Sequence, residues 1–173
     1  MIEAALKSDE LAWKKLQIKN GEYLIQAGEV EKFVYFVESG ALRAFTYVEE
    51  EEITIRFGYS GSILTALPSY ITQTPSELYI QALRKSTVLQ CKRSEFESYI
   101  QASKERLIAY KELLNQLIAG IMEREIDLMH TSPKSRIERL QKRSPQLFQE
   151  VPQKYIAAYL RMSPETLSRL LSG

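Results

Sequence analysis

The side chains best suited to chemistry lie close to the C-terminal end of the chain. They are short polar or charged groups: Gln153, Lys154, Ser163, Glu165, Thr166, Ser168 and Arg169. Arginine can donate to guanine or to a phosphate, and glutamate can accept a hydrogen bond from the amine of cytosine. Serine, threonine, glutamine and lysine side chains commonly bind phosphate oxygens. We therefore expect Glu165 and Arg169 to contact bases, while the others position the protein on a DNA backbone.

Two short helices are predicted to hold these side chains. The first has one apolar face, formed by Tyr155, Ile156, Tyr159 and Leu160. The second begins where Ser163 can cap the helix and Pro164 suits its first position. Its inward side chains are Leu167, Leu170 and Leu171. Two helices joined by a tight turn are the layout of a helix-turn-helix, and a simple helical hairpin is the alternative.

The order of residues in this segment resembles the helix-turn-helix of the Crp/Fnr family of transcription regulators. Ala157 stands where that family has a small residue that lets the two helices approach. The family's Ser-x-Glu-Thr-x-x-Arg reading segment is matched by Ser163, Glu165, Thr166 and Arg169. The resemblance implies a homodimer that binds double-stranded DNA, with RNA polymerase as a further partner.

Two positions in the same segment depart from the family pattern. Arg161 stands in the turn where glycine is usual, so a left-handed backbone there would cost roughly 1 kcal/mol. Pro164 replaces a residue that is often a base-contacting arginine, and it offers no donor. The chain also stops at Gly173, without the β-hairpin wing that commonly follows, which predicts a smaller DNA contact area. These departures favour the alternative of a sensor module that no longer binds DNA.

The charge is distributed unevenly along the chain. Residues 131–173 carry eight Lys/Arg and three Asp/Glu, a net +5, whereas the rest carries fifteen basic and nineteen acidic groups, a net −4. A basic end on an acidic body is typical of a protein that binds nucleic acid through that end. A solvated charged face is the alternative interpretation of the charge alone.

The composition argues against catalysis and against a metal site. His130 is the only histidine and Cys91 the only cysteine, which leaves no internal disulfide, no iron–sulfur cluster and no histidine-rich metal site. The chain contains no catalytic triad, Walker loop or HExxH motif, and we expect no cofactor. It also lacks a secretory signal and a run of eighteen apolar residues. We therefore expect a cytoplasmic protein that is not an enzyme and has no membrane partner.

The first half of the chain has the pattern of a small β-rich domain. A helix is predicted over residues 3–14, and from Leu16 to Cys91 short apolar runs alternate with turn residues. Such spacing indicates an antiparallel β-barrel or jelly roll, so the fold class is α+β. Spaced glycines also resemble those of the Crp/Fnr sensor domain, and each suits a turn with positive φ. They are Gly21, Gly28, Gly40 and Gly61.

The segment after Gly61 is where the resemblance implies an effector pocket. Our alignment places Ala66 where relatives that bind cyclic nucleotides have a glutamate for the ribose, and Ser76 where they have an arginine for the phosphate. Without that cation the sequence argues against cyclic AMP and cyclic GMP. The pocket candidates are Thr65, Ala66, Ser69, Thr72, Gln73 and Ser76. Two alternatives stay open: another small molecule, or a degenerate pocket that binds nothing.

A long amphipathic helix is predicted after the β-rich part, from Ser103 to about Met129. Its apolar row, assigned to a dimer interface, is Leu107, Tyr110, Leu114, Leu117 and Ile121. The apolar band is wider than a two-stranded seam needs, which indicates that one flank covers the barrel and the other meets a second subunit. The alternative is a helix buried wholly within its own chain.

These patterns divide the chain into three parts. We expect residues 1–102 to form a cyclic-nucleotide-binding-like β-barrel, residues 103–130 a dimerisation helix and residues 131–173 a helix-turn-helix domain. Pro133 marks the hinge, because it interrupts the helical pattern. The expected function is a homodimeric, sequence-specific DNA-binding regulator whose small-molecule effector is not cyclic AMP.

Overall fold

The protein consists of a β-rich part followed mainly by helices, in a computed structural model that describes residues 11–172. The helix predicted over residues 3–14 lies mostly outside the described residues, and at Lys14 the chain is already in a strand. The strands are β1 (Lys14–Ile18), β2 (Tyr23–Ile25), β3 (Phe33–Ser39), β4 (Ala41–Val48), β5 (Glu51–Tyr59), β6 (Ile63–Leu64), β7 (Tyr79–Ala82) and β8 (Ser86–Lys92).

The strands pair into two antiparallel sheets. Their strand orders are β1-β8-β3-β6 and β2-β7-β4-β5. Apolar residues of both sheets meet in one core, which includes Tyr35, Val88, Leu42 and Ile80. Each sheet therefore buries one face against the other. The predicted antiparallel β architecture is confirmed.

Positive φ angles occur at all four glycines that the sequence analysis singled out. Gly40 joins β3 to β4 with a φ of 99°, and a Cβ atom there would lie 2.2 Å from Ser86 Oγ. A larger residue would clash as well as strain the backbone at this position. β4 and β5 are joined by Glu49 and Glu50, whose φ angles of 49° and 69° form a tight hairpin turn.

The helices are α1 (Leu67–Thr72), α2 (Arg93–Gln101), α3 (Lys104–Met129), α4 (Pro133–Arg143), α5 (Leu147–Glu150), α6 (Gln153–Tyr159) and α7 (Pro164–Ser172). α3 is the predicted long helix, and Ser103 caps it by accepting from Arg106 N at 3.2 Å. The predicted break at Pro133 is confirmed, since α4 begins there. None of the described helices is both long enough and apolar enough to cross a lipid bilayer.

The C-terminal helices pack against one edge of the β-rich part. A single apolar cluster joins Ala41, Phe57 and Leu83 of that edge to inward residues of α4–α7. Across the contact, the ring centroids of Phe57 and Tyr159 are 5.2 Å apart. The two regions of the chain therefore share one core.

Candidate functional site

α6 and α7 are joined by a tight turn in which one residue is left-handed. Arg161 has a φ of 53°, and Met162 N donates to Ala157 O at 3.0 Å. This is the left-handed conformation that was expected to cost roughly 1 kcal/mol at Arg161 relative to glycine. Ala157 is completely buried, so its small side chain lets the two helices approach closely.

α7 begins with a hydrogen-bonded cap. Thr166 N donates to Ser163 Oγ at 3.2 Å, and the two hydroxyl oxygens are 3.1 Å apart. The pKa of Glu165 is lowered by a hydrogen bond from its own backbone N–H and by another from the Ser163 hydroxyl. Glu165 is therefore ionised at neutral pH and can only accept hydrogen bonds. Ser163 and Thr166 therefore hold the start of the helix.

The exposed side of α7 brings together four of the predicted DNA-contacting residues. Gln153, Glu165, Ser168 and Arg169 border one open hollow, while Leu167 on the opposite side is completely buried. Within residues 11–172, Arg169 makes no ion pair, so its guanidinium is available to a ligand. The exposed Lys154 lies at the start of α6, one residue from Gln153.

A buried carboxylate fixes these helices to the long helix. Asp127, near the end of α3, is 1% exposed and accepts from Arg139 Nε at 2.7 Å and from Arg143 Nη2 at 2.5 Å. Because a buried charge needs partners, these two arginines serve the contact with α3 rather than a DNA backbone. From the sequence, the basic residues of this helix, α4, were expected to bind DNA phosphates. The spacing of four residues between the two arginines, which places them on one helix face, was the available signal.

The predicted effector residues are bonded within their own part of the chain. Hydrogen bonds to backbone carbonyl oxygens are donated by Thr65 Oγ1 at 2.9 Å, Ser69 Oγ at 2.6 Å, Thr72 Oγ1 at 2.9 Å, Gln73 Nε2 at 3.0 Å and Ser76 Oγ at 3.0 Å. Ala66 is completely buried. Of the six residues, Thr65 alone lines the cavity between the β-rich part and α3 that is described below. These side chains already satisfy backbone carbonyl groups, and an effector pocket at these six residues stays a prediction.

A buried glutamate that the sequence analysis did not single out lies behind this segment. Glu31 is 1% exposed, and its carboxylate accepts from Phe33 N at 3.0 Å and from Ala66 N at 3.2 Å. Burial raises the pKa of Glu31, although these hydrogen bonds act in the opposite direction. Ala66 N lies at the start of α1, so Glu31 already occupies a backbone donor that a bound anion would use there.

A cavity of about 470 Å³ lies between the β-rich part, α3 and Tyr159 of α6. Its walls are mostly apolar, and two arginines, Arg56 of β5 and Arg124 of α3, also line it. The volume falls in the ~300–1,000 Å³ range of small-molecule sites. Sequence reasoning missed this cavity because its lining residues come from separate strands and helices. Within residues 11–172, no group of His, Cys, Asp or Glu is arranged to hold a metal ion.

The long helix turns its two apolar flanks to different surroundings. Tyr110, Leu114 and Leu117, predicted for the dimer interface, line the cavity on the barrel side. Spacing alone does not show which flank meets the barrel, and a dimer interface at these three residues stays a prediction. Leu107 and Ile121, also predicted for the dimer interface, are exposed at 53% and 48%, and Ile121 lines the edge of the cavity as well. The other exposed apolar residues of α3 are Ile108, Ile118, Met122, Ile126 and Met129.

Several solved structures share this fold over more than nine tenths of the chain. FixK2 from Bradyrhizobium japonicum is similar over 94% of this chain and 84% of that chain, with a TM-score of 0.77 and 18% identity. A CooA mutant from Carboxydothermus hydrogenoformans is similar over 92% and 75%, with a TM-score of 0.70 and 20% identity. The c-di-GMP responsive global regulator CLP from Xanthomonas campestris is similar over 92% and 85%, with a TM-score of 0.66 and 14% identity.

At these identities the structural likeness establishes the fold alone. No curated protein sequence gives a significant match. The model of the cyclic nucleotide-binding domain family matches residues 15–103, which is just over half of the chain and covers all eight strands except the first residue of β1. The chain therefore belongs to the cyclic nucleotide-binding domain family.

Proposed function

We propose that this protein is a sequence-specific DNA-binding transcription regulator of the Crp/Fnr type that acts as a homodimer. The observation that carries the proposal is the arrangement of α7, which exposes Glu165, Ser168 and Arg169 while Leu167 is buried. A helix supported in this way by the helix before it can enter the major groove of DNA. α6 and α7 would then form a helix-turn-helix.

Each polar residue has a separate task in this proposal. Arg169 would donate to guanine or to a phosphate, and the ionised Glu165 would accept from a cytosine amine. Ser168, Gln153 and Lys154 would contact phosphates, with Ser163 and Thr166 fixing the start of α7. The net +5 of residues 131–173 would attract the DNA backbone as a whole.

The exposed apolar side of α3 supports the homodimer. Leu107, Ile118 and Met122 lie on it, and contiguous apolar surface of this kind marks an interaction site. Two chains joined along α3 about a two-fold axis would place their α7 helices about one DNA turn, ~34 Å, apart. RNA polymerase and a small-molecule effector complete the proposed partners, and the proposed role is cytoplasmic and not catalytic.

Selection of bound sequences from a random DNA pool, followed by fluorescence anisotropy on the recovered site, tests the proposal. Arg169→Ala should weaken specific binding by about 1–3 kcal/mol, because one donor to a base or a phosphate is lost. Lys85→Ala is the matched control, since it removes one exposed positive charge from the β-rich part. Equal affinities of the wild type and Arg169→Ala would contradict the role given to Arg169.

The alternative is a ligand- or partner-binding sensor module whose α6–α7 pair no longer binds DNA. Pro164 at the start of α7 and the left-handed Arg161 favour it, since neither suits the family pattern. A salt titration of binding to random duplex DNA separates the two functions. A DNA-binding protein shows a steep fall of log affinity with log salt concentration, whereas the sensor module would show almost none.

A further inference from the structure

We propose that the cavity between the β-rich part and α3 binds an amphipathic carboxylate, an elongated apolar molecule with one anionic head group. Arg56 and Arg124 would bind that head group. This inference deepens the function proposed above by naming the chemical class of the effector, and binding of the carboxylate does not itself require DNA.

The charged end of the cavity carries two guanidinium groups with little to neutralise them. Arg56 is partly buried and, within residues 11–172, makes no ion pair. Arg124 Nη2 donates to Thr54 O at 3.1 Å, and its Nη1 lies 3.5 Å from the exposed carboxylate of Glu125. Arg124 Nε is buried and has no hydrogen-bond partner among the described residues. Two arginines in this state can bind one carboxylate through charge-assisted hydrogen bonds.

The remainder of the cavity is apolar and elongated. Its lining residues on α3 run from Tyr110 to Arg124, which is about 20 Å along the axis at ~1.5 Å per residue. Far from the arginines the wall is aromatic, where the rings of Phe96 and Tyr110 lie 6.0 Å apart. One carboxylate, Glu77, also lines the cavity, but it is exposed and therefore screened by water. A hydrocarbon or aromatic body would fill the long apolar section.

A cyclic nucleotide does not fit this distribution of polar groups. Its ribose and phosphate need several donors and acceptors close together, whereas the cation-bearing end here adjoins apolar walls. The backbone donor at Ala66 is taken by Glu31, and the hydroxyls of Ser69 and Ser76 are bonded to carbonyl oxygens. The structure therefore favours a ligand with one polar end.

Tyr159 links the head-group end of the cavity to the proposed DNA-binding helices. Its ring lies 4.7 Å from the guanidinium carbon of Arg124 and belongs to α6. A carboxylate bound through the in-plane N–H groups of Arg124 would fix the guanidinium whose face lies over this ring, so the ligand and the position of α6 are coupled. By linkage, the ligand would change the affinity for DNA by the same factor as DNA changes the affinity for the ligand.

Isothermal titration calorimetry on the full chain, without DNA, tests the chemical class. The probes are straight-chain carboxylates from hexanoate to dodecanoate and 4-phenylbutyrate, each beside the alcohol of equal length. We expect the tightest carboxylate to bind at least about tenfold more tightly than its alcohol, a difference of ~1.4 kcal/mol. If no carboxylate binds, or if acid and alcohol bind equally, the proposal is overturned.

Three variants locate the binding in this cavity. Arg56→Gln and Arg124→Gln should each reduce the carboxylate affinity about tenfold and leave the alcohol affinity unchanged, with Lys85→Gln as the charge control. Gly120→Leu should abolish both, because a Cβ atom at this cavity-lining glycine meets nothing within 4 Å and the side chain would fill the space. Unchanged carboxylate binding in both arginine variants would overturn the proposal. If a variant fails to fold, the comparison of acid with alcohol on the wild type still tests it.

The two proposals can fail separately. Calorimetry without DNA reports on the carboxylate site, and DNA binding without ligand reports on α7. If both hold, the tightest carboxylate should shift the affinity for the selected DNA site in the wild type but not in Arg124→Gln. A carboxylate that binds without changing DNA affinity in the wild type would overturn the coupling through Tyr159.

Discussion

Arg161 occupies a backbone region that disfavours residues with a side chain, and the surrounding contacts explain how it is kept there. Its N–H donates to Ala158 O at 3.0 Å, and its carbonyl oxygen accepts from Arg136 Nη2 at 3.5 Å. The turn is therefore held by the preceding helix α6 and by α4. At this scale a residue in the turn should affect stability through its backbone rather than through its charge.

Arg161→Gly should raise the free energy of unfolding by about 0.5–1 kcal/mol relative to Arg161→Ala. Both variants remove the guanidinium, and only glycine removes the strain of the positive φ. Urea denaturation followed by circular dichroism measures the difference. Equal stabilities of the two variants would show that the turn is not strained.

Individual contacts could be predicted where the partners are neighbours in the sequence, and not where they are distant. The cap formed by Ser163 and Thr166 spans three residues, so residue types and spacing were sufficient to indicate it. The bond from Ala66 N to Glu31 spans 35 residues and depends on how the strands pair. Thr65 and Gln73 likewise donate to carbonyl oxygens that lie 32 and 42 residues away, so these partners could not be identified from the sequence.

At the scale of elements, the long helix α3 has the length and cap that its sequence indicates, but its orientation could not be read from periodicity. Because the apolar band is wide enough for two contacts, its pattern does not show which flank of α3 faces the barrel and which faces outward. The structure puts Tyr110 and Leu117 on the barrel side and leaves Ile118 and Met122 exposed. Gly120 lies on the cavity side of α3. Glycine lowers the stability of a helix, and here a side chain would have room, since a Cβ atom meets nothing within 4 Å.

Gly120→Ala should stabilise the protein by about 0.5–1 kcal/mol, because alanine is the better helix former and its Cβ atom meets nothing within 4 Å. Gly40→Ala is the contrasting control, and it should destabilise the protein strongly, since its Cβ atom would lie 2.2 Å from Ser86 Oγ. Thermal and urea unfolding of both variants provide the measurement. A destabilised Gly120→Ala would mean that the cavity wall needs the glycine.

At the scale of the whole molecule, the C-terminal helices are joined to the rest by ionic contacts, which include the pair of Arg84 with Glu150 of α5, and by an apolar contact. Asp127 binds Arg139 and Arg143 of α4, and Phe57 meets Tyr159 of α6. The sequence indicated the break at Pro133 and suggested a hinge. It could not indicate that the helices beyond the break pack back onto the β-rich part, because that depends on contacts between distant residues.

Asp127→Ala should lower the free energy of unfolding by about 2–4 kcal/mol. Removing one partner of a buried ion pair costs roughly 3–5 kcal/mol, and the partial exposure of Arg139 and Arg143 reduces that figure. Glu123→Ala is the control, since this half-exposed carboxylate should contribute less than about 1 kcal/mol. Limited proteolysis should also cut Asp127→Ala faster near Pro133; equal rates would contradict the role of Asp127.

Ile118→Glu should convert the proposed homodimer into a monomer and weaken operator binding, because it places a charge in the apolar face of α3. Gln116→Lys is the control, since residues two positions apart lie on nearly opposite sides of a helix. Light scattering after size-exclusion chromatography gives the mass, and fluorescence anisotropy gives the affinity. A wild type that is monomeric at micromolar concentration would refute the dimer.

The contact between Phe57 and Tyr159 has a thermal consequence. Moving α6 away from the barrel would uncover two aromatic rings to water, at a cost on the order of a few kcal/mol. The tendency of apolar surfaces to stay together weakens on cooling. A rearrangement that separates these rings should therefore become easier as temperature falls.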